Sequence, residues 1–188
     1  MEGSVLGPDL YNVIADSLVR RIRLPRVAYA DDFKLVSDVV LCSQAEIQTE
    51  INTVADWSEE YHMPLSLDKC SVMHCGLHQP LHNYVLNSCV MKTVDTLPDL
   101  GVTRTSDDGY SGHCEAVFRK ASSVAGAIRH VFRCRRRELM WVAFQHYILP
   151  ILMYGSPIWN PTLQRDINLL ESVQRRFTKQ NTSIKELN

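Results

Sequence analysis

Two adjacent carboxylates, Asp31 and Asp32, are the residues of this chain whose types and spacing best suit chemistry. They follow a strand-like run, Arg26–Tyr29, and precede another, Phe33–Val36. The pattern predicts a β-hairpin with the acids at its bend, where Asp is favoured because its side chain can bond nearby backbone. Crowded carboxylates repel each other unless a cation neutralises them, and hard oxygen ligands suit Mg²⁺ or Mn²⁺. A metal site and a solvated turn are both compatible with these residues.

Charge divides the chain into an acidic and a basic part. Residues 1–112 hold 8 Lys and Arg against 16 Asp and Glu, a net charge of −8, whereas residues 113–188 hold 12 against 5, a net charge of +7. An acidic part able to hold cations, joined to a basic part able to meet phosphate, suits an enzyme that acts on nucleic acid. Two halves that simply attract each other would show the same asymmetry.

Neither a membrane segment nor a disulfide framework is expected. The most apolar stretch, Met140–Trp159, is interrupted by polar residues, prolines and a glycine, which favours a buried helix followed by a turn. The six cysteines are expected to be free thiols.

The elements around the acidic pair indicate an α+β fold. Pro8 predicts the start of a helix that runs to about Arg23, and Ser43–Glu46 has the form of a capping box that opens a second helix. Short antiparallel strands are expected over Leu65–His74, Tyr84–Val94 and Leu97–Val102. From His113 onward the periodicity is entirely helical.

The first of these later helices is predicted to carry an apolar stripe from Val117 to Val131 and a basic face opposite it. The basic residues of this face and of the run that follows are Arg119, Arg129, Arg133, Arg135 and Arg136. Any amphipathic surface helix would show this pattern, and a nucleic-acid backbone could also lie along it.

Several blocks along the chain, taken together, resemble the reverse transcriptases of non-LTR retrotransposons. The blocks, in the order in which that family has them, are Gly3–Pro8, Tyr29–Asp32, Asp68–Met73, Asp99–Val102, Leu149–Ser156 and Leu170–Lys179. The resemblance therefore covers nearly the whole chain.

The resemblance implies an incomplete polymerase palm in residues 1–112 and a helical thumb-like region in residues 113–188. The family's palm uses carboxylates to hold two divalent ions, Mg²⁺ or Mn²⁺, roughly 3.5–4 Å apart. By position, it assigns metal binding to Asp31 and Asp32, the primer end to Tyr29 and Ala30, the template and incoming nucleotide to Gly3 and Ser4, the nucleotide phosphates to Lys69, the primer grip to Leu100 and Gly101, and the duplex backbone to the basic residues named above. The implied partners are an RNA template, a DNA primer and deoxynucleoside triphosphates, in the nucleus or cytoplasm.

The resemblance departs from the family at the front of the chain. The family's first catalytic aspartate and its fingers lie upstream of the glycine block, and Glu2 stands where the family usually has glutamine. We therefore expect a truncated copy that does not polymerise DNA on its own.

Two other functions are compatible with the residues. The basic helices could hold nucleic acid while the acidic site is vestigial. The residues Cys70, His74, Cys75, His78 and His82 loosely suggest zinc ligands, although a strand would turn neighbouring side chains to opposite faces. Lys69 is equally compatible with an ordinary surface lysine.

Overall fold

A computed structural model of the chain describes residues 6–76, 80–107, 109–132 and 136–182, with side chains as far as Lys179. The fold is α+β, as the sequence predicts. The chain forms two compact units, Met1–Val94 and Asp95–Asn188. None of the described helices is long and apolar enough to cross a bilayer. The five cysteines that fall in the described ranges are free thiols, as expected.

The first unit combines two helices with short strands. In chain order its elements are α1 Gly7–Arg21, β1 Arg26–Tyr29, β2 Asp32–Leu35, α2 Gln44–Glu60, a 3₁₀ turn Leu67–Lys69, β3 Ser71–Val72, β4 Val85–Leu86, β5 Cys89–Val90 and β6 Lys92–Thr93. The pairs β1–β2 and β4–β5 are antiparallel hairpins, whereas β3 and β6 run parallel.

The prediction of antiparallel strands over Leu65–His74 and Tyr84–Val94 is therefore wrong for one pair and too long for the first segment. Residues 67–69 form a 3₁₀ turn, so only Ser71–Val72 is a strand there. A parallel pair needs a crossover, and residues 73–91, which include the β4–β5 hairpin, supply it.

Local signals define both helices of this unit. Pro8 occupies the first turn of α1, where its missing N–H costs nothing. Ser43 caps α2: its Oγ accepts the N–H of Glu46 at 3.3 Å, and the Glu46 carboxylate accepts the N–H of Ser43 at 2.7 Å. The predicted capping box is confirmed. The buried core of this unit includes Leu18 and Ile22, whereas Leu10 near the start of α1 is 58% exposed.

The second unit is a hairpin followed by helices. Its described elements are β7 Thr96–Asp99, β8 Val102–Thr105, α3 Ser111–Val131, α4 Arg137–Ala143, a π-helical turn Phe144–Ile148, α5 Leu149–Met153, α6 Ser156–Trp159 and α7 Gln164–Thr182. The predicted strand and turn at Leu97–Val102 and the predicted helical character from His113 are both confirmed.

Helix α3 contributes to two buried clusters of the second unit. Its Ala125 and Ile128 pack with Phe144 and Phe177, and its N-terminal half packs with Val102 of β8. Because the β7–β8 hairpin packs on α3, the boundary between the two structural units follows Val94. The predicted boundary between palm and thumb lies later in the chain, between residues 112 and 113. That functional division stays a prediction.

One residue of the predicted apolar stripe of α3 lies outside this core. Val131 is 71% exposed, because it is the last residue of the helix and extends past the packed core.

Candidate active site

The two acids lie at the tip of the β1–β2 hairpin. Tyr29 pairs with Asp32 across the strands, so Ala30 and Asp31 form a two-residue turn. This confirms the predicted hairpin with acids at its bend. Ala30 has a φ of 51°, a left-handed conformation that costs a residue with a Cβ about 1–2 kcal/mol. Strain of this kind is commonest where the surrounding structure holds a functional segment in place.

Both carboxylates at the tip are exposed and uncompensated. Neither Asp31 nor Asp32 makes a side-chain hydrogen bond or ion pair in the described part of the chain. Tyr11 of α1 lies close enough to sense them: burial raises the pKa of the Tyr11 phenol, and the charges of Asp31 and Asp32 raise it further. The tip therefore offers two free carboxylates beside a partly buried phenol.

The described residues contain no complete metal centre. Within them, no group of three or more His, Cys, Asp or Glu side chains is placed to hold an ion. This applies to the acidic tip and equally to the described members of the zinc set, while His78 lies outside the described ranges. The acidic tip therefore supplies two carboxylates, and a metal ion bound there would need further ligands.

Lys69 is exposed at the end of the 3₁₀ turn, within the segment Leu65–His74 that was predicted to be a strand. The turn is closed by the N–H of Cys70, which donates to Ser66 O at 3.2 Å and to Leu67 O at 3.1 Å. Over the described residues, no hydrogen bond or ion pair joins the Lys69 ammonium to the acidic tip. The structure therefore does not bring Lys69 into contact with the acids.

The predicted grip residues form the turn of the second unit's hairpin. Leu100 and Gly101 connect β7 to β8 with φ values of 46° and 83°. Two positive φ values in a two-residue loop match the right-handed twist of the strands. Tyr154, which follows α5, donates its hydroxyl to Leu100 O at 2.9 Å. Its ring lies so close to Gly101 that a Cβ there would stand 3.2 Å from Tyr154 Cε1.

The same hairpin is held from a second side by His113. The N–H of Thr103 donates to His113 Nδ1 at 3.2 Å, and the buried imidazole meets the Trp159 ring edge-on with centroids 5.0 Å apart. Trp159 Nε1 in turn donates to Tyr154 O at 2.7 Å. We call Thr103, His113, Trp159, Tyr154 and Leu100 the hairpin-holding network.

Sequence reasoning missed this network, although Tyr154 fell in one of the recognised blocks. The contacts join residues as far as 54 positions apart, as for Tyr154 and Leu100. No spacing rule links such residues, so only the folded chain reveals them.

Two of the predicted backbone-contacting arginines lie on α3 and one precedes α4. Arg119 and Arg136 are exposed, and Arg129 is half-buried. The remaining predicted site residues, Gly3, Ser4, Arg133 and Arg135, lie outside the described residues.

The segment that contains the acidic tip and the Leu100–Gly101 turn matches a known protein family. The family described as "Reverse transcriptase (RNA-dependent DNA polymerase)" matches residues 1–121. The chain belongs to this family. The resemblance inferred from the sequence motifs is therefore confirmed.

Curated relatives of this reverse transcriptase-family chain come from mobile elements of Drosophila melanogaster. The chain is 24% identical to the probable RNA-directed DNA polymerase from transposon BS, and 20% identical to the RNA-directed DNA polymerase from mobile element jockey. Each match covers 93% of this chain and 21% of the relative, so the chain spans about a fifth of the length of these relatives. No solved structure matches it.

Replacing Gly101 with Ala should destabilise the chain by about 1–2 kcal/mol, because a Cβ is strained at this φ and is crowded by Tyr154. Urea unfolding measures the change. Gly126→Ala is the matched control: a Cβ there meets nothing within 4 Å in the middle of α3, so it should stabilise by about 0.5–1 kcal/mol. Equal stability of Gly101→Ala and wild type would contradict the described turn.

Stability should fall as the solution becomes acidic because of His113. Burial lowers the pKa of His113, so the folded state holds it neutral, with Nδ1 as an acceptor for Thr103. The unfolded imidazole takes up a proton as the pH falls through about 6.5, and the folded one does so only at lower pH. Its stabilising contribution is therefore complete above about pH 6.5 and is lost as the pH falls towards the lowered folded value.

Urea unfolding of wild type and His113→Gln between about pH 7.5 and 5 measures this effect. The Gln variant should lose less stability on acidification than wild type does. His130→Gln, which removes an exposed imidazole of the same helix, should keep the wild-type pH dependence. An unchanged pH dependence in His113→Gln would refute the assignment.

Proposed function

We propose that this chain is part of an RNA-directed DNA polymerase of a non-LTR retrotransposon, with palm residues in 1–112 and a thumb in 113–188. One observation carries the proposal: two uncompensated carboxylates stand on a strained hairpin tip inside the segment that matches the reverse transcriptase family. The transposon BS and jockey relatives, each named an RNA-directed DNA polymerase, support the same assignment.

The acidic tip suits Mg²⁺ or Mn²⁺. In this proposal Asp31, on the turn, is the direct ligand, and Asp32, at the start of β2, completes the pair. A pair of such ions, when bound, activates a primer 3′-hydroxyl and stabilises leaving pyrophosphate. Tyr29 and Ala30 would lie near the primer end, since they immediately precede the acids.

The other residues of the proposed site serve its nucleic-acid partners, which are an RNA template, a DNA primer and deoxynucleoside triphosphates. Gly3 and Ser4 would face the template and incoming nucleotide, and the Lys69 ammonium would meet the nucleotide phosphates as a compact cation. The Leu100–Gly101 turn would grip the primer. The hairpin-holding network supports this last role, because it fixes the turn on the helices from two sides.

A second candidate is a nucleic-acid-binding remnant without catalysis. The number of potential metal ligands favours it, because the described residues supply two carboxylates at the tip and no third ligand. Binding would need only the basic surface of α3 and its neighbours, where Arg119 and Arg136 are exposed.

Metal binding at the tip can be measured directly. Mn²⁺ added to the isotope-labelled chain should broaden the NMR signals of the β1–β2 hairpin, and replacing Asp31 or Asp32 with Asn should weaken this binding by about tenfold. Asp56→Asn, which removes an exposed carboxylate from α2, is the control and should leave the titration unchanged. Hairpin broadening that survives in the double Asp31→Asn, Asp32→Asn variant would remove the metal site from the proposal.

Primer extension separates the two candidates. With an RNA template, a DNA primer and Mg²⁺ or Mn²⁺, we expect no appreciable incorporation by this chain alone, because two carboxylates position a pair of ions poorly. The chain should still bind the RNA–DNA hybrid, with an affinity that falls steeply with salt. Robust incorporation that Asp31→Asn abolishes would contradict the expected inactivity and exclude the remnant. If the chain neither incorporates nucleotides nor binds the hybrid, both candidates are overturned.

A further inference from the structure

The arginines of the second unit differ in whether a carboxylate neutralises them. On α7, Arg165 pairs with Glu115 at 2.5 Å, and Arg175 lies 3.6 Å from Glu171. Arg176, the next residue, is exposed and pairs with no carboxylate of the described chain; the same holds for Arg119 on α3. The positive charge available to a ligand is therefore concentrated at particular arginines.

Arg176 is also held in a defined position. Its guanidinium carbon lies 5.8 Å from the centroid of the Phe118 ring, within the range of a cation–π contact. The next residue, Phe177, is buried in the core, which fixes this turn of α7, and Phe118 packs against the same core. A guanidinium placed by a ring still has all its N–H donors to offer, since no described hydrogen bond uses them.

Arg119 lies on α3, the helix that supplies the ring, and α3 packs beside α7. The two helices run in the same direction: Ser111 donates to Asp166 at 2.5 Å near their starts, and Ile128 clusters with Phe177 further along. Arg119 directly follows Phe118, so its side chain leaves α3 about 100° further round the helix. One aromatic ring thus has an unpaired guanidinium stacked on it and a second beside it in sequence.

We propose that Arg119 and Arg176, organised by Phe118, form a binding site for backbone phosphates of an RNA–DNA hybrid. The inference rests on the proposed function and extends it, because α7 lies outside the segment that matches the family, residues 1–121. Guanidinium groups bind phosphate oxygens through paired, charge-assisted hydrogen bonds, and a group that is already positioned loses less freedom when it does so.

Fluorescence anisotropy with a labelled RNA–DNA hybrid tests the proposal across a series of salt concentrations. Arg176→Ala should weaken binding several-fold and reduce the slope of log affinity against log salt by about one, the change expected for one lost phosphate contact. Arg119→Ala should act in the same way. Arg175→Ala is the matched control. It removes the same charge from the adjacent position, but Arg175 already has a carboxylate neighbour, Glu171.

Two further variants separate the ring contact from simple charge. Arg176→Lys keeps the charge and should keep the salt slope, but it should bind more weakly than wild type because an ammonium lacks the planar fork. Phe118→Leu keeps an apolar side chain in the core and should weaken binding less than Arg176→Ala does. Circular dichroism confirms that each variant is folded.

The results distinguish this site from the proposed function itself. Hybrid binding by wild type with equal losses in Arg176→Ala and Arg175→Ala would overturn the phosphate site and leave the proposed function standing. A wild-type chain that does not bind the hybrid would overturn both. A specific loss in Arg176→Ala and Arg119→Ala supports the site.

Discussion

Two like charges on adjacent residues of a tight turn are the constraint on which the rest of this molecule's proposed chemistry depends. Two carboxylates about 4 Å apart repel each other by about 1 kcal/mol in water, but by about four times as much at the lower effective dielectric of a protein surface. The exposure of Asp31 and Asp32 keeps this repulsion small. It also leaves both groups without an internal cation, so a metal ion has no side chain to displace.

The β1–β2 and β7–β8 hairpins both have positive φ values at their tips, but the surrounding structure treats the two tips differently. At the acidic tip, the strained residue is Ala30, and both following carboxylates are free. At the Leu100–Gly101 turn, Tyr154 fixes the strained backbone directly, and His113 fixes it through β8. The first arrangement suits a ligand that arrives with its own positive charge. The second suits a turn whose backbone conformation must stay fixed when a ligand contacts it.

Features set by neighbouring residues could be predicted from the sequence, and features set by distant ones could not. The bend at Asp31, the capping box at Ser43 and the start of α1 each rest on the chemistry of a few consecutive residues. The parallel pairing of β3 with β6 depends on a crossover of 19 residues, 73–91, as the paired positions Ser71–Lys92 and Val72–Thr93 show. Alternation and turn residues indicate strands, but they carry no information about which strand returns alongside.

The same limit explains why a count of basic residues describes a binding surface poorly. The sequence predicts a positive second half, but ion pairing decides which charges remain free. Arg165 and Arg175 are partly neutralised by Glu115 and Glu171, while their neighbour Arg176 stacks on Phe118 and meets no described carboxylate. Exposed ion pairs are individually weak, so they contribute little to stability. Their larger effect is on the electrostatic potential, because a carboxylate beside a guanidinium cancels part of the attraction that the guanidinium exerts on a nearby phosphate. An unpaired, ring-stacked arginine therefore contributes more to the recognition of a nucleic-acid backbone than its share of the net charge indicates.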